Sequence, residues 1–208
     1  YLTGQSFTSI VDGQSEAVLL RATSDHKEAW RYVPAPGAGS VVAFLDVDVD
    51  AEGAPVALAR SSEPEGLALE RHEPDGQLAW SKPLGSMSPK FDCHLTRMAG
   101  GWSVVASGTG GSRLLTTDAE GEILSDTSFE AVELLPEVRL DPEGLRVVAG
   151  SRDEAGGLDA YLAGISATGE ILWERRFGGL GDERTAYFAV LSDGFLLSGR
   201  GPSTANDW

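Results

Sequence analysis

Large side chains recur at every second position in several short segments of the chain, and no long segment repeats apolar residues with a helical period. In the segment 171–177, positions 171, 173, 175 and 177 carry large side chains, and this spacing places them on one face of an extended strand. Residues 104–106 and 147–149 are instead continuous apolar runs, which are typical of strands covered on both faces. The pattern therefore predicts an all-β protein made of short strands.

The chain contains four tandem copies of one sequence unit. A turn followed by a strand occurs four times, with equivalent strand residues at Trp30, Trp80, Ser125 and Trp173, in steps of 50, 45 and 48 residues. A second column, of turn glycines, has steps of 48, 43 and 50 residues and consists of Gly53, Gly101, Gly144 and Gly194. Because the two columns agree, we predict repeats of about 47 residues, over residues 16–65, 66–110, 111–156 and 157–204.

Each repeat is interpreted as four strands joined by tight turns. Pairs such as Asp75-Gly76 and Thr168-Gly169 supply the positive φ that hairpins require, and residues 129–140 are expected to form two strands. A unit of this size cannot cover both of its faces alone, so equal units stack around an axis. We therefore predict a β-propeller of four-stranded antiparallel blades, a single domain over residues 1–208. About four to five blades are expected, as part of a larger ring or as a ring completed by the two chain ends.

Composition narrows the range of partners. Acidic residues outnumber Lys and Arg by 32 to 16, which gives a formal net charge of −16, and the chain has no basic run. Proteins that bind nucleic acid need clustered Lys and Arg, so neither nucleic acid nor an anionic membrane is expected as a partner. No apolar run approaches the roughly 20 residues of a membrane-spanning helix, so membrane insertion is not expected.

The last repeat carries the clearest motif. Residues 168–179 read Thr-Gly-Glu-Ile-Leu-Trp-Glu-Arg-Arg-Phe-Gly-Gly, and residues 192–199 read Ser-Asp-Gly-Phe-Leu-Leu-Ser-Gly. This sequence resembles the repeats of bacterial β-propeller proteins of the WD40-like and quinoprotein-like (PQQ-like) kind. The resemblance implies a propeller and an extracytoplasmic location, whether secreted, periplasmic or surface-anchored. It also implies that Trp173 packs neighbouring blades together, as in the tryptophan-docking motif of quinoprotein dehydrogenases, and it implies no particular activity.

Three alternating aspartates form a candidate metal site. Asp46, Asp48 and Asp50 could chelate calcium if the chain curled around the ion, because hard cations prefer carboxylate oxygens. Ala51 and Ala54 occupy the positions where a calcium loop would carry a glycine and a further carboxylate. The preferred interpretation is therefore that these three aspartates line one face of a strand and bind no metal.

Polar residues on the loops that follow the outer strands are the candidate ligand-binding groups. These loops cover residues 35–40, 85–90 and 178–184, and we expect a ligand to contact one end of the propeller there. The residues predicted to bind it are Lys90, Asp182, Glu183 and Arg184.

No residue is predicted to be catalytic. The single cysteine, Cys93, precedes His94, and neighbours on a strand point to opposite faces, so these two cannot act as a nucleophile–base couple. The expected function is therefore a non-catalytic binding or scaffold propeller that contacts protein or carbohydrate without a cofactor. A glycan-active enzyme and a calcium-dependent adhesion module are the alternatives.

Overall fold

The computed structural model is an all-β protein whose strands form antiparallel sheets. It describes residues 5–11, 14–25, 27–35, 41–62, 65–86, 92–108, 110–154, 157–178 and 181–201. Within these ranges, seventeen strands form one three-stranded, three four-stranded and one two-stranded sheet. In every sheet, strands that are consecutive in sequence pair with each other. The prediction of four-stranded antiparallel sheets is confirmed, and these sheets are consistent with the blades of a propeller-like fold.

The strand bounds follow the chain order, sheet by sheet. The first sheet contains β1 (Gln5–Val11), β2 (Gln14–Ala22) and β3 (Glu28–Tyr32). The second contains β4 (Val41–Val49), β5 (Pro55–Ser62), β6 (Glu65–His72) and β7 (Leu78–Gly85), and the third contains β8 (Asp92–Met98), β9 (Gly101–Gly108), β10 (Gly111–Asp118) and β11 (Ile123–Glu130). The fourth contains β12 (Val132–Leu140), β13 (Arg146–Glu154), β14 (Gly157–Ile165) and β15 (Ile171–Phe177), and the last contains β16 (Arg184–Leu191) and β17 (Gly194–Arg200).

The sheets and the sequence repeats share a period but differ in phase by two strands. The predicted repeat 66–110, for example, combines β6 and β7 of the second sheet with β8 and β9 of the third. A sequence repeat can begin at any strand, whereas hydrogen bonding decides which strands share a sheet. Residues 129–140 contain the end of β11 and all of β12, and the chain turns between them at Ala131, whose φ is 56°.

Three hairpins end in the same glycine turn. Gly76, Gly121 and Gly169 have φ between 83° and 91°, and each donates its backbone N–H to the carbonyl oxygen three residues earlier. These glycines confirm the expectation that tight turns between outer strands need a positive φ.

The second predicted glycine column is only partly correct. Gly53 and Gly144 are turn residues with φ of 81° and 85°, but Gly101 and Gly194 are the first residues of β9 and β17. In the third sheet the turn glycine is the preceding residue, Gly100, with φ of 85°. The sequence shows two adjacent glycines there, and only the hairpin geometry decides which one turns.

Residues in the tryptophan column pack on the glycine turn of the following sheet. The ring of Trp30 lies on Gly76, and its Nε1–H donates to the carbonyl oxygen of Pro74 at 2.8 Å. The ring of Trp80 lies on Gly121 in the same way. The resemblance implied a packing role for Trp173, whose ring lies 5.5 Å from that of Phe195 in the last sheet.

The residues divide into two compact units, Tyr1–Trp102 with Thr117–Ile123, and Ser103–Thr116 with Leu124–Trp208. A buried cluster in the first unit joins the first and second sheets and contains Ala17, Leu19, Phe44, Ala57 and Ala59. A cluster in the second unit joins the fourth and last sheets and contains Val147, Ala149, Leu162 and Phe188. The described residues include no helix that is long and apolar enough to span a membrane.

Candidate functional site

An open cleft in the first unit is a candidate site. It has a volume of about 450 Å³ and lies at the end of the second and third sheets where the hairpins β4–β5 and β8–β9 turn. Residues 50–52, 97–102 and 119–120 line it, together with Arg71 and Trp80. We call this feature the Arg97 cleft. Its lining combines two guanidinium groups, three carboxylates and two indole rings.

Arg71, which lines the cleft, already forms ion pairs with carboxylates of the protein. Its guanidinium contacts the carboxylates of Asp50 at 2.8 Å, Glu52 at 2.9 Å and Glu73 at 3.2 Å. Burial by itself raises the pKa of Asp50, but hydrogen bonds from Arg71 and from the N–H groups of Ala54 and Glu52 lower the pKa below its usual value. Arg71 therefore holds the β4–β5 turn in place and is not available to a ligand.

Arg97 and Glu120, by contrast, form no ion pair with a residue that the structure describes. The Arg97 Nη1 donates to the carbonyl oxygen of Asp50 at 3.2 Å, and no described carboxylate forms an ion pair with this guanidinium. The exposed carboxylate of Glu120 likewise has no ion pair with a described cation. The cleft thus offers one cation and one anion to a ligand, next to apolar surface.

The apolar surface of the cleft comes from Trp80, Met98 and Trp102. Trp102 is 2% exposed and belongs to the core, whereas Trp80 is half-buried. Trp80 is held in position by Gly121, where a Cβ would lie 2.9 Å from the indole ring. Aromatic surface beside a few polar or charged groups is a common arrangement in sites that bind organic ligands.

The aspartates of the candidate calcium site accept hydrogen bonds from other groups of the protein. Asp46 accepts the N–H of Leu95 at 2.9 Å, and Asp48 accepts the N–H of Arg97 at 3.1 Å, so both join β4 to β8. Each also accepts the N–H of the residue that follows it, at 2.8 and 2.7 Å. Among the described residues, no group of three or more His, Cys, Asp or Glu side chains is arranged to hold a metal ion.

Asp50 does not share their role. Its Oδ1 accepts the N–H groups of Glu52 and Ala54, both at 2.8 Å, and so caps the turn. Asp141 caps the equivalent turn of the fourth sheet through the N–H groups of Glu143 and Leu145. The expectation that all three aspartates line a strand face holds for Asp46 and Asp48, whereas Asp50 lies beyond the end of β4.

Of the predicted ligand-binding residues, those that the structure describes do not line the Arg97 cleft. Lys90 lies outside the described residues. Asp182 accepts the N–H of Leu158 at 3.1 Å, and Glu183 is buried and donates its backbone N–H to the carbonyl oxygen of Leu158 at 2.6 Å. Glu183 and Arg184 also line a cavity of about 230 Å³ in the second unit. Their assignment to a ligand stays a prediction.

Sequence reasoning did not identify the Arg97 cleft, because it placed ligands on the loops after the outer strands. In an antiparallel meander the β4–β5 and β6–β7 turns lie at one end, and the loop after β7 leaves from the other. The sequence did contain a signal for the cleft, because the equivalent turns 50–54 and 97–101 both carry charged residues.

The described histidines contact carboxylates. His94 lies 3.4 Å from Asp92 and 3.8 Å from Asp46, and it is half-exposed. Cys93 is buried, and burial, followed by the charge of Asp92, raises the pKa of its thiol to about 11. The thiol is therefore a poor nucleophile, which agrees with the expectation that Cys93 and His94 do not act as a couple.

Comparison with known proteins shows a fold relationship. No protein-family model matches the chain, and no curated protein matches it in sequence. A solved structure, that of a mutant puromycin hydrolase complexed with PGG, is similar with a TM-score of 0.51 and 16% sequence identity. The similarity covers 88% of this chain and 32% of the hydrolase chain, so this chain corresponds to about a third of the hydrolase.

This similarity corrects the expected function. The sequence predicted a non-catalytic binding or scaffold propeller, but the fold that this chain shares occurs in a protein named as a hydrolase. The prediction was wrong because it took the lack of a recognisable catalytic motif in the repeats as a property of the protein's function. Repeat patterns report strand packing, and they carry no information about the reaction that a fold serves.

Proposed function

We propose that this chain is the propeller portion of a hydrolytic enzyme and that the Arg97 cleft binds its substrate. The observation that carries the proposal is that Arg97 and Glu120, neither of which forms an ion pair with a described residue, line the cleft together with Trp80. The similarity to puromycin hydrolase supports the enzymatic setting. The chain would contribute substrate binding, and the bond-breaking groups would belong to another part of the enzyme.

The proposal includes the finer architecture expected from the sequence. Along the chain, the three four-stranded sheets lie between the three-stranded sheet and the two-stranded sheet. Together these sheets would form four to five blades of a larger ring of the WD40-like or quinoprotein-like kind. Repeated packing of Trp30 on Gly76 and of Trp80 on Gly121 supports this arrangement, because it gives successive sheets the same relationship.

The chemistry of the cleft favours a short peptide or an aminoacyl amide as ligand. A ligand ammonium would pair with Glu120, a carbonyl or carboxylate oxygen would accept from Arg97, and an apolar side chain would lie against Trp80. Charge-assisted hydrogen bonds of this kind are about twice as strong as neutral ones, and they fix orientation. The volume of about 450 Å³ lies within the range of small-ligand sites.

The test is calorimetric titration of the chain with phenylalanyl-glycine and with puromycin. We expect saturable binding, weakened at least tenfold in Arg97→Gln and in Trp80→Ala, and weakened for an N-acetylated peptide that lacks the ammonium group. Arg31→Gln is the matched control, because Arg31 is an exposed residue of β3 outside the cleft. A chain that binds neither ligand while its circular dichroism stays native would overturn the proposal.

The enzymatic part of the proposal has a separate readout. In the protein at its native length, Arg97→Gln should raise KM for an aminoacyl 4-nitroanilide and change kcat much less, because the residue binds substrate and does not break the bond. Equal losses in kcat and in kcat/KM would contradict a role confined to binding.

A further inference from the structure

Glu70 is a buried carboxylate without a full set of hydrogen bonds. The residue is 4% exposed, and its Oε2 has no hydrogen-bond partner among the described residues. Its Oε1 accepts a long hydrogen bond, of 3.4 Å, from the Ser81 hydroxyl. The Nε2 of His72 lies 3.6 Å from Oε2, which is too far for a hydrogen bond. A buried carboxylate that lacks hydrogen bonds lowers the stability of the folded protein unless a cation pairs with it.

Next to Glu70 on strand β6, His72 packs among aromatic rings. His72 is fully buried, with its ring 4.5 Å from that of Tyr32 and 6.3 Å from that of Phe44. Burial and then the negative charge of Glu70 raise the pKa of the Tyr32 hydroxyl. Aromatic rings therefore lie on this side of the carboxylate, together with the His72 imidazole, whose Nε2 is 3.6 Å from Oε2.

Glu70 also lines an open cavity of about 360 Å³ in the first unit. The walls are mainly apolar and include Ala59, Leu67, Ala68 and Pro83, and the polar groups include Ser81 and the exposed Glu65. A cation that entered this cavity would meet one buried carboxylate, one further carboxylate and hydrocarbon walls. The cavity is separate from the Arg97 cleft, with which it shares no lining residue.

We propose that this cavity binds a primary alkylammonium group. The ammonium donates to Glu70 Oε2 and to the Ser81 hydroxyl oxygen, and the alkyl chain lies along the apolar walls. An ammonium group has three donors on a flexible stem, so it can satisfy an oxygen that the protein leaves without a partner. The ligand is either a free alkylamine or the side chain of a lysine in a peptide, which share this chemistry.

The lining excludes the other common ligands of a buried carboxylate. Calcium takes six to eight oxygen ligands, and the described residues contain no cluster of three acidic or metal-binding side chains. An anion would be repelled by Glu65 and Glu70. Hydrocarbon walls favour an alkyl group over a hydrated inorganic ion.

The experiment is calorimetric titration of the whole chain with n-butylammonium chloride, with n-butanol as the uncharged ligand of similar shape. We expect saturable binding of butylammonium, at least tenfold weaker binding of butanol, and at least tenfold weaker binding of butylammonium to Glu70→Gln. Glu143→Gln is the matched control, because Glu143 is exposed in a turn of the fourth sheet. Ala68→Leu provides a second variant, which fills the cavity and leaves Glu70 in place.

The outcomes separate the proposal from its alternatives. Stronger binding of Nα-acetyl-lysine methylamide, whose side-chain ammonium is free, than of butylammonium would identify a lysine side chain as the natural ligand. The reverse order would identify a free alkylamine. Equal binding of butanol and butylammonium would overturn the proposal, as would unchanged binding to Glu70→Gln. If the native chain does not bind butylammonium, the proposal is wrong, whatever the Arg97 cleft binds.

Discussion

The indole ring of Trp30 packs directly against Gly76. A Cβ added to Gly76 would lie 2.7 Å from the ring, and the glycine has a φ of 91°. The same position in the next sheet, Gly121, has a φ of 83° and would bring a Cβ to 2.9 Å from Trp80. Glycine is therefore required there for two independent reasons, the conformation of the turn and the closeness of the indole.

Alanine substitution can separate these two reasons. Gly53→Ala should cost about 1–2 kcal/mol of unfolding free energy, because φ is 81° but no atom lies within 4 Å of the new Cβ. Gly76→Ala should cost about 1–3 kcal/mol more, because the indole must also move. Urea denaturation followed by tryptophan fluorescence measures both values. Equal losses in the two variants would show that the ring adapts freely.

Asp48 should stabilise the contact between β4 and β8 without any metal. Asp48→Ala removes the acceptor of the Arg97 N–H and should lower the unfolding free energy by about 1–3 kcal/mol. Asp193→Ala, in an exposed turn, is the control and should change it by less than about 0.5 kcal/mol.

Chelation should leave the melting temperature unchanged. Both carboxylate oxygens of Asp46, Asp48 and Asp50 already accept hydrogen bonds from the protein, and these three side chains are not arranged as a group that could hold a metal ion. Scanning calorimetry with and without EDTA checks this expectation. A lower melting temperature in EDTA that Asp48→Ala abolishes would instead support the calcium-dependent adhesion module.

Asp50 should make the stability of the protein depend on acid pH. Its pKa in the folded state lies below the usual value of 3.8, so its stabilising effect is complete above that value and is lost as the pH falls through the folded-state pKa. The unfolding free energy should therefore decrease below about pH 4, and the decrease should be smaller in Asp50→Asn. Urea denaturation at a series of pH values measures the slopes. A slope in Asp50→Asn equal to that of the native chain would contradict the role of the Arg71 contact.

Cys93 should react slowly in the folded protein. Its side chain is buried and its pKa is about 11, so at pH 8 only about one thiol in a thousand is ionised. Reaction with DTNB should be at least tenfold slower in the native chain than in urea. Equal rates would show that the strand β8 opens readily.

The strand pattern, its period and the turn glycines could be predicted because they depend on local properties of the chain. Alternating side chains define strands, and a residue such as Gly121 or Gly169 marks a turn wherever the chain must adopt a positive φ. The packing role of Trp173 was implied by the family resemblance and did not follow from the repeat itself, since the third unit has Ser125 at this position.

Only the tertiary structure decided where charges and cavities lie. Asp46 and Asp50 have the same type of side chain and similar sequence surroundings, yet one accepts a hydrogen bond from β8 and the other caps a turn beside Arg71. Arg97 and Glu70 stand in ordinary strand segments, and nothing in those segments indicates that one is unpaired and the other buried. Local sequence determines the conformation of each strand and turn, whereas pairing and burial depend on which distant strands meet, so the candidate sites emerged only from the folded structure.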